Sequence, residues 1–415
     1  RVRKPPLPQR STMDRNATVP HGSCKDSASY TLALWNLVIR PPRSTYDIAD
    51  LGPTEFTARG VRASRHDVRL RTGRGNWLQC SHFVPRQDRR KALRKFPVII
   101  YLHGNASSRL EGVNLVGPLL SQRISLFCFD SAGCGLSEGD YVSLGWHERD
   151  DLATVIEHLR KSPFCGPVGI WGRSMGAVTA LLHADRDPTL DAICFDSPFA
   201  SLRQLAEELA LGNRFVLVPL PYWLVAGALA VIRMRVKALA DFDIEDLVPV
   251  EHAKRSSVPA IFMHARQDKF ISPEHSRQLY NAYGGAKQLV TIEGDHNTER
   301  SEEVVNHAIK FFRRTFRLDE DIDLSVPKHL VDADLAVPKQ DGQPRHIPPL
   351  PLPVKRRSAT RSPTDEEVST AAVAEEAVPL STTAKVIVDG PVLISPEVAP
   401  APLRKRSSRA ASGGG

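Results

Sequence analysis

Gly172-Arg173-Ser174-Met175-Gly176 is a G-x-S-x-G sequence. It is entered from the apolar run Val168-Gly169-Ile170-Trp171 and left through Ala177-Val178-Thr179-Ala180-Leu181-Leu182. The run before it reads as a buried strand and the run after it as a helix. A sharp strand-to-helix turn strains a serine and lifts its hydroxyl above the sheet, where a substrate can reach it. Gly172 and Gly176 are expected there because neighbouring chains pass too close for a side chain. Ser174 is therefore the expected nucleophile, and serine at this position excludes an aspartate nucleophile.

A serine hydroxyl needs a histidine to take its proton and an acid to orient that histidine. Where the nucleophile sits on such a strand-to-helix turn, the three follow the chain order Ser, Asp or Glu, His, each after a later strand. Val258–Ala265 reads as a buried strand, and Asp268 lies in the loop after it. Lys287–Ile292 reads as the next strand and ends in Glu293-Gly294-Asp295-His296-Asn297, ahead of a helix from about Ser301. Order and placement select His296 as base and Asp268 as orienting acid. Asp295 and Glu293 are expected to face solvent or shape the turn. Asp196, after Ala192-Ile193-Cys194-Phe195, is the alternative acid, but Asp196-Ser197-Pro198 reads as a turn former.

A tetrahedral intermediate needs two N–H donors aimed at its oxygen. One is expected from the backbone of Met175, the residue after the nucleophile. The other is expected from Asn105, in the loop His103-Gly104-Asn105 that follows the strand Phe96–Leu102. His103 and Gly104 are expected to hold that loop, as is the Asn105 side chain. A fourth strand, Ile124–Asp130, runs into the loop Asp130-Ser131-Ala132-Gly133-Cys134-Gly135-Leu136-Ser137. Its glycines suit a tight turn beside the site and lack the spacing of a dinucleotide fingerprint.

These pieces resemble the α/β-hydrolase superfamily, and within it the eukaryotic serine aminopeptidase-like branch related to protein depalmitoylases and monoacylglycerol lipases. The matching segments are His103-Gly104-Asn105, Asp130–Ser137, Gly172–Gly176, Asp196-Ser197-Pro198-Phe199, Asp268 and His296. Ile39-Arg40-Pro41-Pro42-Arg43 with Tyr46 is similar to the start of that branch. The resemblance covers roughly residues 30–317. It implies the fold and a serine-hydrolase mechanism without fixing the substrate.

The chain of 415 residues exceeds what the catalytic unit needs. Residues 1–30 are polar and basic and are expected to be disordered. So is the stretch 318–415, which is rich in Pro, Ser and Ala and carries the run Pro348–Pro353. That run is expected to act as a stiff spacer, with an SH3- or WW-like domain as the alternative partner. Six cysteines, at 24, 80, 128, 134, 165 and 194, are scattered and read as buried thiols rather than a disulfide framework or a metal site. With no leader pattern at the start of the sequence, the expected location is cytoplasmic. The formal charge of +8 gathers in clusters. These read as solvated tail or contacts to anionic lipid, and no aromatic–basic platform points to nucleic acid.

Between the tails, strands alternate with helices, which implies a mostly parallel central sheet flanked by helices. An antiparallel start is expected from Asp67–Arg71 and Trp77–Pro85. Helices are expected near Leu110–Gln122, Trp146–Lys161, Met175–Ala184, Pro273–Tyr283 and Glu302–Phe316. The domain 31–317 is expected to carry a short helical cap, about 200–245, inserted after the sixth strand. Within it Phe215–Ile232 has 18 residues without a charge, long enough for a membrane-span candidate. A single crossing would leave Ser174 on one side of the bilayer and Asp268 and His296 on the other, so the segment is read as cap. Trp223, Tyr222 and the following Arg233, Arg235 and Lys237 suit a reversible peripheral membrane contact, with Leu32–Ile39 as a second one.

The functional reading is a serine hydrolase that cleaves an acyl ester or thioester, of lipase, esterase or acyl-protein thioesterase type. Its substrate is an acyl-containing small molecule or an acylated protein, and no metal or cofactor is called for. A serine peptidase acting on small peptides is the alternative. It would need an acidic pocket for a free amino terminus, and Glu207 and Glu208 are the nearest candidates. A non-catalytic binding or scaffold protein is an alternative of another class.

Overall fold

The computed structural model describes residues 34–87, 94–211, 221–318 and 386–387. The expectations for residues 1–30, for Phe215–Leu220, and for almost all of 318–415 lie outside them. Helix α1 (Leu34–Ile39) and a 3-10 turn at Ile48–Leu51 lead to three antiparallel strands, β1 (Glu55–Ala58), β2 (Val61–Arg71) and β3 (Trp77–Pro85). There follow β4 (Phe96–Leu102), a 3-10 turn at Arg109–Leu115, α2 (Val116–Ser121), β5 (Ser125–Phe129), α3 (Glu148–Arg160), β6 (Cys165–Arg173) and α4 (Met175–Ala184). Next come β7 (Ala192–Asp196), α5 (Leu202–Leu211), α6 (Tyr222–Ala240) and α7 (Pro249–Arg255). The remaining elements are β8 (Ala260–Ala265), α8 (Pro273–Ala282), β9 (Lys287–Ile292), α9 (Glu302–Thr315) and β10 (Val386–Ile387).

The strands make one sheet in the order β1-β2-β3-β5-β4-β6-β7-β8-β9-β10. From β5 to β9 every neighbouring pair is parallel. Every residue of β4 is buried, as expected for a parallel strand covered on both faces. On one face Ile156 of α3, Ala177 and Leu181 of α4, and Leu279 of α8 pack against Ile100, Ile170 and Phe262. On the other, Leu120 of α2 and Ala308 and Phe312 of α9 pack against Ile99, Trp171 and Ile261. A third cluster joins Ile39 of α1, Val178 of α4, Leu205 of α5 and Val236 of α6.

The mostly parallel sheet is as the sequence implied, and β3, β4, β9 and α4 have the expected bounds. The helical insertion follows β7, the seventh strand in chain order rather than the sixth. The added strand is β1, four residues at the sheet edge with no buried position, so no apolar signal marked it. Helix α6 continues to Ala240, eight residues past the uncharged stretch, and takes Arg233, Arg235 and Lys237 with it. Among the described residues no helix is long and apolar enough to cross a membrane. Val386–Ile387, within the stretch expected to be disordered, pair antiparallel with β9.

The loops at the carboxyl ends of β4, β5, β6, β8 and β9 carry His103–Asn105, Asp130–Ser137, Ser174, Asp268 and His296. That edge of an open parallel sheet is where binding crevices form.

Candidate active site

Ser174 has φ 51° and ψ −115°, a conformation sparsely populated by any L-residue. Its N–H donates to the Asp196 carbonyl at 2.8 Å, which ties the turn to β7. A Cβ on Gly172 would collide with the Gly176 carbonyl, and one on Gly176 with the Leu102 carbonyl. Neither glycine has a positive φ, so both are required for close approach and not for an unusual backbone angle. The strain is confined to the serine.

His296 stands between the serine and an acid. Its Nδ1 lies 2.6 Å from Asp268 Oδ2 and its Nε2 3.1 Å from Ser174 Oγ. An ionised carboxylate only accepts, so Nδ1 carries the proton and Nε2 presents its lone pair to the serine hydroxyl. Asp268 Oδ1 accepts the N–H groups of Phe270 and Ile271 at 2.9 and 2.8 Å. Burial alone would raise the Asp268 pKa. Hydrogen bonds from His264 and His296, the charge of His296 and the Ile271 amide outweigh it, and the carboxyl is held well below its usual range. The three side chains are nearly buried, with residue exposures of 6–8%, so water screens their interactions little.

The two amides expected to bind an oxyanion are uncommitted. Met175 opens α4, where helical N–H groups have no intrahelical acceptor. Among the described residues the Asn105 N–H meets no acceptor either. Its neighbour Gly104 donates to Glu111 Oε2 at 3.1 Å and is thereby occupied. The Asn105 side chain does not fix the loop as expected, since its Oδ1 is buried without a partner among the described residues. His103 does fix it. Its Nδ1 donates to the Gly104 carbonyl at 2.8 Å, and its Nε2 accepts the Ser131 N–H at 3.1 Å. With both nitrogens committed, His103 joins the loops after β4 and β5.

Asp196, the alternative acid, is engaged by a different partner. Arg300 Nε and Nη2 lie 2.9 and 2.7 Å from its two oxygens. Asp295 shapes the turn: its Oδ1 accepts the N–H groups of His296 and Lys269, at 2.7 and 3.1 Å, and so joins the base loop to the acid loop. Glu293 pairs with Arg266 and Gln267.

Among the supporting residues, His264, Arg173, Glu111 and Arg109 were given no role by the sequence. His264, inside β8, lies 3.3 Å from Asp268 Oδ2 and 2.9 Å from the Ile271 carbonyl. As both are acceptors, its Nε2 must carry the proton. Arg173 and Glu111 pair at 3.0 Å. The Asp130 loop is held by Arg109, Tyr46 and Arg43, the last donating to the carbonyls of Gly133 and Ser137. Arg43 and Tyr46 belong to the segment singled out by resemblance, and the contact gives that resemblance a structural reason.

The chain is similar to several known proteins. A family profile described as X-Pro dipeptidyl-peptidase (S15 family) matches residues 127–243, and one described as PhoPQ-activated pathogenicity-related protein matches 235–341. The uncharacterized protein YqkD of Bacillus subtilis is 30% identical over 203 residues, 48% of this chain and 64% of that protein. Lysophosphatidylserine lipase ABHD12 of Danio rerio is 27% identical over 199 residues, 46% of this chain and 49% of that protein. The matched region thus spans about half to two thirds of these relatives. The Pyrococcus furiosus esterase Pf2001 superposes with a TM-score of 0.50 at 20% identity, covering 67% of this chain and 98% of that one. Sheet order, serine turn and these likenesses agree: the chain belongs to the α/β-hydrolase superfamily.

Proposed function

We propose that the protein is a serine hydrolase that transfers the acyl group of an ester or thioester to water. The observation that carries this reading is the continuous line of hydrogen bonds from Asp268 through His296 to Ser174 Oγ. Ser174 Oγ attacks the carbonyl carbon as His296 Nε2 takes its proton. The N–H groups of Met175 and Asn105 stabilise the oxyanion. The imidazolium, stabilised by Asp268, returns the proton to the departing alcohol or thiol and leaves an acyl-enzyme. Water, deprotonated by His296, then releases the acid and restores the serine.

An acyl lipid or other acylated compound is the favoured substrate class. Likeness to the lysophosphatidylserine lipase of Danio rerio supports it. The peptidase reading draws on the S15 profile, but that match ends at residue 243 and includes only Ser174 of the three. The two glutamates suggested for an amino-terminus pocket are engaged elsewhere. Glu207 pairs with Arg203 at 3.0 Å and Glu208 with His275 at 3.0 Å.

A fluorophosphonate probe is expected to label Ser174, and Ser174→Ala to abolish labelling and lower turnover by roughly 10⁴–10⁶. Labelling that persists in Ser174→Ala would remove the assignment. p-Nitrophenyl acyl esters are expected to be cleaved faster than aminoacyl anilides, and the reverse ranking would favour the peptidase.

A further inference from the structure

We infer that Arg173 and Glu111 form a positioning bridge that keeps the oxyanion loop and the histidine loop in register across the nucleophile turn. This deepens the serine-hydrolase reading and rests on it. Neither side chain is assigned contact with reacting atoms, and both act through neighbours.

Glu111 lies in the 3-10 turn after the oxyanion loop. Its Oε2 accepts the Gly104 N–H at 3.1 Å, and its Oε1 accepts the Tyr101 hydroxyl at 2.9 Å and Arg173 Nη1 at 3.0 Å. Committing the Gly104 N–H fixes the His103–Gly104 peptide plane, one before the plane that carries the Asn105 N–H, and leaves the Asn105 N–H as the donor. Arg173 directly precedes Ser174. Its Nη2 donates to the His296 carbonyl at 2.9 Å and to Asn297 Oδ1 at 3.2 Å. One guanidinium therefore links Glu111, 62 residues before it, to His296, 123 residues after it.

Three loops must agree within a fraction of an ångström for the reaction to proceed. The histidine loop turns at Gly294, whose φ of 115° favours glycine. Asp295 ties this loop to the acid loop, and the planar fork of Arg173, reaching two partners at once, ties it to the oxyanion side, a geometry the point charge of a lysine does not reproduce. The side chains of the pair are only 20% and 15% exposed, so salt screens the pair weakly. Burial would raise the Glu111 pKa, but the charge of Arg173, the Ser107 hydrogen bond and His103 bring it below its ordinary value, which keeps the bridge charged. The pair also lines a cleft of about 320 Å³, so a smaller side chain there meets open space.

The test is steady-state cleavage of a p-nitrophenyl acyl ester by the full chain. The variants are Glu111→Gln, Arg173→Lys, Arg173→Met and the double Glu111→Gln/Arg173→Met, with thermal midpoints measured in parallel. Displacements near 1 Å cost about 100-fold in rate. Each single variant is therefore expected to lose about 10- to 100-fold in kcat with KM within about twofold. The double is expected to be no worse than its worse single, because the bridge is one unit. Fluorophosphonate labelling rates should fall in parallel. Effects that multiply in the double, a loss carried by KM, or unchanged kcat would each overturn the inference. If Arg173→Met does not fold, Glu111→Gln, with nearly the same shape, still decides it. Wild-type enzyme that fails to label at Ser174 would instead remove the serine-hydrolase reading itself.

Discussion

Asp151 and Asp268 are both buried carboxylates, and their surroundings drive them in opposite directions. The Asp151 side chain is fully buried, and burial raises its pKa to about 6 despite Arg74 at 3.3 Å and the Ala132 N–H at 3.0 Å. Asp268 receives enough hydrogen bonds to stay well below the usual range. The consequences for stability have opposite signs. Between about pH 4 and 6 the folded state holds more protons at Asp151 than the unfolded state does, so this residue costs stability as pH rises through that window. Asp268 contributes stability above the unfolded carboxylate pKa and loses it only as pH falls through its depressed value. Asp151→Asn should therefore gain on wild type in urea midpoint as pH rises from about 4 to 7. A gap that stays flat over that range would show that Asp151 is not raised.

Helix α6 has apolar side chains on the side turned away from the protein as well as on the side facing it. Val225, Val236 and Ala240 are buried, while Trp223, Val231 and Met234 are 71%, 46% and 65% exposed. The exposed three recur at helical spacing and form one stripe. The cations of α6 are turned to other tasks: Arg233 and Lys237 pair with Asp243 at 2.7 and 3.4 Å, and Arg235 lies 5.3 Å from the Trp35 ring centroid. Lipid contact at this helix would then rest on apolar insertion rather than on charge. Trp223→Ser is expected to reduce co-sedimentation with phosphatidylcholine vesicles while sparing cleavage of a soluble short ester, and added anionic lipid should change binding little. Equal loss of both activities would mark the helix as ordinary core.

Across the whole molecule, the segment before β1 is part of the catalytic unit. The Tyr46 hydroxyl donates to Asp130 Oδ2 at 2.6 Å and accepts Arg109 Nε at 2.6 Å. The Arg109 and Asp130 side chains are 2% and 0% exposed, and the Arg109 N–H donates to Asp130 Oδ1 at 2.7 Å. Asp130 also accepts the Leu136 N–H, so the loop after β5 is built around it. Arg109→Met leaves that carboxylate without its buried counter-charge and is expected to cost about 3–5 kcal/mol in denaturant unfolding. The double variant Arg109→Met/Asp130→Asn should recover part of the loss, and failure to do so would mean that packing around Arg109 dominates.

Local pattern determined much of this protein. The G-x-S-x-G turn, the all-buried run of β4 and the loops after β8 and β9 are contiguous segments whose residue types dictate their own conformation. They sufficed to name the sheet type and to select Ser174, Asp268 and His296, which the fold brings within hydrogen-bond reach. What required tertiary structure was the set of supporting groups that pair across sequence distance. Glu111, His264 and Arg300 have no motif around them, Arg173 fills a variable position inside the serine motif, and all four meet their partners only when separate strands align. The edge strand β1 had too little buried surface to leave an apolar signature. The direction of α6 toward solvent was also beyond reach, because an apolar helix reads the same whether its outer face is covered or bare. Periodicity reports what a segment prefers, whereas burial and long-range pairing are settled by what packs against it.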